Sequence, residues 1–155
     1  MINIRKAKKD DFDKILKLAK ELYEAELPFD KNLNPNYYYN QKAKDDLKKS
    51  ILSRKRTFLV AEENDNLVGY VDGYIIEKEE VYIEKVAYLD HLCVSKKHRK
   101  QGVGKTLIDE FTKIMKEKGT KYIKLNAFEK NIPAVSLYKK QDFKEYSVYY
   151  MKEIK

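Results

Sequence analysis

The chain has 155 residues, a length that suits one domain built around a single core. Its hydrophobic content of 43% excludes wholesale disorder, and no apolar run approaches the roughly 18 residues that a membrane span needs. The net charge of +8, from 33 basic and 25 acidic residues, fits an anionic ligand as well as a solvated mixed-charge surface.

The N-terminal MINIRKAKKDDF has no apolar h-region, so secretion is not expected. Ile2 to Ala7 reads as a short strand. Asp10 and Asp11 then place carboxylates in the first turn of a helix whose apolar residues are Phe12, Ile15, Leu16, Ala19, Leu22 and Tyr23. It stops near Pro28. The Asn-rich FDKNLNPNYYYN is a loop, and QKAKDDLKKSILS a second, more polar helix. TFLVAEE, NDN and LVGYVDGYII read as strand, turn and strand. VYIEKVAYLDHLCV is a long strand whose alternation breaks between Tyr88 and His91, where a bulge fits. The lone Cys93 in this strand excludes an intrachain disulfide and points to a reducing cytosol, hence a cytoplasmic protein. Gly102 opens a helix with Val103, Leu107, Phe111, Ile114 and Met115 on its apolar face, and Gly119 closes it. KYIKLNAF is a strand, Asn131 caps a last helix with Pro133 in its first turn, and FKEYSVYYMKEI is a final strand. The order β-α-α-β-β-β-α-β-α-β implies a single domain over residues 1–155. It is an α/β fold with a mixed sheet and helices on both faces. Its early strands are antiparallel, and the unit from Val81 to Phe128 is a parallel crossover. Zinc-finger spacing and RNA-binding aromatic motifs are missing, so nucleic acid is not an expected partner.

HRKQGVGKT, His98 to Thr106, carries the chemistry. A triphosphatase phosphate loop needs a glycine five positions before Gly104, where Arg99 stands. A dinucleotide fingerprint needs one three positions after it, where Leu107 stands. What remains is Arg99-x-x-Gly102-x-Gly104, following a strand and opening an amphipathic helix. With LDHLCV before it and NAFEKNIPAVSLYKKQDF after it, the sequence resembles the GNAT superfamily of acyl-CoA-dependent N-acyltransferases. The second motif has Asn131, Ala134, Leu137, Tyr138 and Phe143 in place. The resemblance follows the whole chain in element order and is most specific from Leu89 to Phe143. It departs at Asp142, which stands where the family has glycine, and in the short tail.

The resemblance implies a mostly antiparallel sheet with one splayed parallel pair, acetyl-CoA as cosubstrate, an amine acceptor and a homodimer. Backbone amides from Gln101 through Gly102, Val103 and Gly104 to Lys105 would hold the CoA pyrophosphate at the helix N-terminus. Arg99, Lys100, Lys105 and Thr106 would line its rim. The backbone of Leu92, Cys93 and Val94 would pair with the pantetheine and polarise the thioester, with Asn131 and Ala134 also contributing to the cofactor site. Tyr138 would protonate the leaving thiolate. Asp90 is the candidate base for the amine and Glu84 the weaker one. His91, placed on the strand face opposite Asp90, and His98 lack companions for a metal site, so no metal is expected. Cys93 reads as a small hydrophobe and not as a nucleophile. Tyr37, Tyr38 and Tyr39 could wall the acceptor pocket, with Glu26 or Asp30 attracting the amine.

Overall fold

Period-two alternation along one strand sets the layering of the molecule. The computed structural model describes residues 1–77 and 80–154. Strands β1 (Asn3–Lys6), β2 (Arg56–Glu63), β3 (Asn66–Ile75), β4 (Val86–Val94) and β5 (Tyr122–Lys124) form one sheet in that order. On β2, Phe58 and Val60 enter one core, and Leu59 and Ala61 the other. The first core is closed by α1 (Phe12–Glu26) and α2 (Gln41–Leu52), through Ile15, Leu18, Ala19, Leu47 and Ile51. The second is closed by α3 (Val103–Glu117), through Val103, Leu107, Ile108, Phe111 and Met115. Leu137 and Tyr138 of α4 (Ile132–Lys140) pack against its edge. Each large apolar side chain buried in this way contributes roughly 1.5–3 kcal/mol, so α3 is the strongest clamp on the sheet. The expected mixed sheet with helices on both faces is present.

Turn chemistry follows the sequence closely. Asn64 and Asp65 take φ of 47° and 62°, the left-handed pair that a two-residue hairpin between β2 and β3 demands. At the end of α3, the Thr120 amide bonds the Met115 carbonyl and that of Gly119 bonds Lys116, with Gly119 at φ 78°. The end of α4 repeats this pattern: Phe143 bonds Tyr138, Asp142 bonds Lys139, and Asp142 holds φ 62°. Both are Schellman caps. Asp142 therefore does the work of the glycine it replaces.

The entry to α1 is held by a charged cluster. The Asp11 carboxylate accepts two bonds from Arg5, at 2.7 and 2.9 Å, and one from the Lys8 amide at 2.7 Å. Arg5 also binds Glu62 on β2, so the cluster ties helix to sheet. The Arg5 hydrogen bonds hold the Asp11 carboxyl below its ordinary pKa, although burial works against this. A depressed pKa means that the stability is full above the unfolded value near pH 4. It declines below that and is gone once pH falls through the folded value. Asp11→Ala is expected to cost about 2–3 kcal/mol at pH 7 in denaturant unfolding, and the cost should shrink in acid.

Three sequence expectations are corrected. The long strand begins at Val86 rather than Val81. The strand expected over KYIKLNAF is only the three residues of β5. The tail after Phe143 forms no strand: residues 144–154 have no regular structure, and Tyr146, Val148, Tyr149, Tyr150 and Met151 are exposed. Its alternating pattern is strand-like, but β5 offers too short an edge to pair with. Side chains fix it instead, with Lys124 over the Tyr146 ring at 4.5 Å and Lys139 paired with Glu145 at 2.9 Å.

Candidate active site

The site begins with an irregularity in β4. Its register with β3 runs from Gly73↔Leu89 to Asp72↔His91, leaving Asp90 as the extra residue of a bulge. Such a bulge bends its strand and re-aims side chains. Parallel pairing of β4 with β5 stops at Tyr88↔Lys124, just before it. From Leu89 to Val94 that side of β4 has no partner strand among the described residues, so the pair splays as the resemblance implies. Across the sheet the Ser95 amide donates to the Val68 carbonyl. Strand alternation then turns the Leu92 and Val94 amides toward the gap and that of Cys93 away from it.

The end of β4, the start of α3 and α4 converge at Gly104. A Cβ there would lie 3.0 Å from Leu137 Cδ2 and 3.6 Å from Val94 Cγ2. The missing Cβ thus serves the packing of α4. Gly102 caps α3 at φ 86° with no side-chain cap, and the Thr106 amide makes the first helical bond, to the Gly102 carbonyl. The amides of Val103, Gly104 and Lys105 lie ahead of that bond, outside the helical hydrogen-bond ladder. The rim side chains are held nearby. Arg99 Nε donates to the Val94 carbonyl at 3.0 Å, Gln101 Nε2 to the Lys97 carbonyl, and the Thr106 hydroxyl to the Gly102 carbonyl. Lys105 pairs with Asp109, while Lys100 takes a left-handed φ of 60° in the turn. Gly104→Val should weaken CoA binding at least tenfold by calorimetry and lower the thermal midpoint as well, because Leu137 is displaced.

Asn131 caps α4 by accepting the Ala134 amide at 3.4 Å. One turn on, Tyr138 is partly buried and packs edge-on against Phe143, with centroids 5.9 Å apart. Burial first, and the Glu26 carboxylate second, push its phenol up to about 12. Tyr138 is therefore neutral at physiological pH.

The bulge also changes the geometry expected for His91. It does not point away from Asp90: His91 Nδ1 lies 3.8 Å from Asp90 Oδ2, because the extra residue turns both side chains to the same side. His91 Nδ1 bonds Asp72 Oδ1 at 2.9 Å. Arg56, at the start of β2, binds Asp72 through Nε at 3.0 Å and through Nη2, and Nη2 also reaches Asp90 at 2.6 Å. Asp72, Asp90 and His91 bring ligand-type atoms within 4.8 Å of one another, but the guanidinium sits on both carboxylates and supplies the cation. Burial disfavours a charged His91. The hydrogen bond and charge of Asp72, with Asp90 added, outweigh it and raise the imidazole above its ordinary value. Asp72 and Arg56 escaped the sequence analysis. The signal was a carboxylate within the apolar run LVGYVDGYII, which needed a buried partner.

Of these groups, Asp72 and His91 line a pocket of about 260 Å³ between α1, α2 and the sheet, whose walls include Tyr23, Glu26, Tyr37 and Tyr38. Burial raises the Glu26 carboxyl, with His91 opposing, so Glu26 is a charge neighbour of both His91 and Tyr138. Tyr39 is exposed outside, under Lys20, and Asp30 accepts the Asn32 amide in its own loop. Glu84 is exposed before β4, at the paired end of the strand and away from the gap. Cys93 is buried with its thiol donating to the Leu18 carbonyl, and burial pushes it up to about 12.

A splayed parallel pair, a helix start without a side-chain cap at its mouth and a tyrosine-bearing helix beside it are the features that the resemblance to the GNAT superfamily implies. The comparisons agree. The family model described as "Acetyltransferase (GNAT) family" matches residues 14–143, and the chain belongs to that family. It is 35% identical over 106 residues to N-acetyltransferase 8B of Rattus norvegicus, covering 68% of this chain and 47% of the rat protein. The chain thus spans about half the length of that relative. It is 27% identical over 151 residues to an N-alpha-acetyltransferase of Sulfurisphaera tokodaii, covering 94% of this chain and 81% of the relative. Its fold matches the PaiA N-acetyltransferase of Thermoplasma acidophilum, solved with coenzyme A, at a TM-score of 0.72 and 24% identity, over 91% and 88% of the two chains. Among the described residues no helix is long and apolar enough to cross a membrane.

Proposed function

We propose that the protein transfers the acetyl group of acetyl-CoA to a primary amine by direct attack within a ternary complex. The observation that carries this reading is the unpartnered stretch of β4 from Leu89 to Val94, which ends at the Gly104 contact joining it to α3 and α4. The amides of Val103 to Lys105 would hold the pyrophosphate, and the pantetheine would run along the open edge of β4. The Leu92 or Val94 amide would donate to the thioester oxygen and stabilise the oxyanion of the tetrahedral intermediate. Tyr138 would meet the leaving sulfur. A phenol at about 12 facing a thiol near 8.5 makes full proton transfer uphill by roughly 5 kcal/mol. Its contribution is therefore a hydrogen bond to the developing thiolate, with the final proton coming from solvent.

The pocket beside His91 would take the acceptor, a polyamine, amino acid or protein amine. The Glu26 carboxyl lines it and would face a cationic acceptor. The polar cluster at the bulge, Asp90 included, would manage the amine's protons. The raised, buried thiol of Cys93 argues against an acyl-enzyme. Initial rates with both substrates varied should give intersecting lines, whereas parallel lines would contradict direct attack. The exposed apolar tail from Tyr146 to Ile154 supports a homodimer, which sedimentation would detect.

A further inference from the structure

We infer that His91, oriented by Asp72, accepts the proton that the acceptor amine must lose. The inference rests on the acetyl-transfer reading above and assigns the step that reading leaves to the cluster as a whole. Three observations support it. The buried Asp72 side chain takes Arg56 on Oδ2 and His91 Nδ1 on Oδ1 at 2.9 Å, and a carboxylate oxygen accepts, so the contact holds neutral His91 in its Nδ1–H tautomer. Nε2 then carries the lone pair and has no partner among the described residues, while the ring lines the pocket. Finally, the same strand turns the Leu92 amide into the splay, so a nitrogen near His91 lies one residue from the oxyanion donor.

The carboxylate of Asp90 is less suited to the step. It is bound to Arg56 at 2.6 Å, and protonating it would break that pair. The charged groups facing His91 are Asp72 on β3, Asp90 on β4, Arg56 on β2 and Glu26 on α1. Tyr38 from the α1–α2 connection and Asp46 of α2 complete the pocket wall. Asp72 and Asp90 act to strengthen the base and Arg56 opposes them, which narrows the gap to an ammonium with a pKa near 10.

The step balances as follows. The ammonium N–H bond breaks and the proton moves to His91 Nε2. The freed lone pair forms the N–C bond to the thioester carbonyl, whose electrons move onto oxygen. Collapse breaks the C–S bond, the nitrogen gives its second proton to solvent, and the thiolate leaves and takes a proton from solvent. The proton on His91 returns to solvent.

The chain has two histidines, so each ring can be followed by NMR, with His98 as internal control. In the wild type, kcat/KM for an amine should fall on the acid side with a pKa above 6.5, matching the His91 ring titration. Asp72→Asn should move both to lower pH, without moving the alkaline limb set by the amine itself. His91→Gln should erase the acid limb and lower kcat/KM roughly a hundredfold or more, with CoA affinity unchanged. Wild-type turnover and pH profile in His91→Gln, or a His91 titration unmoved by Asp72→Asn, would overturn the assignment. Wild-type protein that binds CoA yet releases no thiol with any amine would overturn the acetyl-transfer reading itself, and the role of His91 with it.

Discussion

Tyr138→Phe should lower kcat about a hundredfold and leave the CoA dissociation constant within about twofold of wild type. The phenol ring packs on Phe143 and against the α3 side of the sheet, and phenylalanine keeps both contacts. Only the hydroxyl is lost. In the proposed mechanism that hydroxyl matters when negative charge gathers on sulfur, so the loss should appear in kcat and kcat/KM together rather than in KM alone. Donor length offers a second reading. If Tyr138 stabilises the leaving group, an acyl donor whose thiol is more acidic should lose less activity in Tyr138→Phe. Equal kcat in variant and wild type would remove the residue from the chemistry and leave it as packing.

Gly73→Val should give no folded protein. A Cβ at Gly73 would lie 2.2 Å from the Tyr88 carbonyl oxygen and 2.6 Å from Phe111 Cζ. The first is backbone of the paired strand and cannot swing aside. The second is a buried ring at the centre of the α3 clamp. Separating β3 from β4 would also undo the bulge that places Asp90 and His91, so fold and site fail together. The cost should exceed about 4–5 kcal/mol, a range that single substitutions rarely reach. Gly119→Ala is the contrast. Nothing lies within 4 Å of that position, and only its φ of 78° resists a side chain, so the cost should be about 1–2 kcal/mol. Thermal melts of the two variants would compare a steric glycine with a conformational one.

Local signals made most of the architecture readable. Asn131 and Pro133 marked α4, Gly119 the end of α3, and Asn64–Asp65 the hairpin, because each residue acts on its own backbone. The broken alternation at Tyr88–His91 located the bulge for the same reason. The tail misled because alternation reports what a segment could do if an edge were available, and β5 has three residues to offer. The site was half legible. Spacing in HRKQGVGKT located the turn at Gly102 and the start of α3. The Arg56–Asp72–His91 network joins residues from three strands, and no short-range pattern records that pairing. Gly104 shows the limit of motif reading in another way: the close neighbour that the structure places there is Leu137 of α4, which the motif does not mention.

A thiol-release assay tests acetyl transfer to an amine. Purified protein, acetyl-CoA and a panel of polyamines, amino acids, aminoglycosides and peptides with free N-termini would be combined, with free CoA thiol followed over time. Amine-dependent thiol release by at least one class is expected, with the acetylated amine found in equal amount. CoA-dependent thermal stabilisation with no thiol release from any amine would contradict it and would make the protein a binder of acyl-CoA rather than an enzyme.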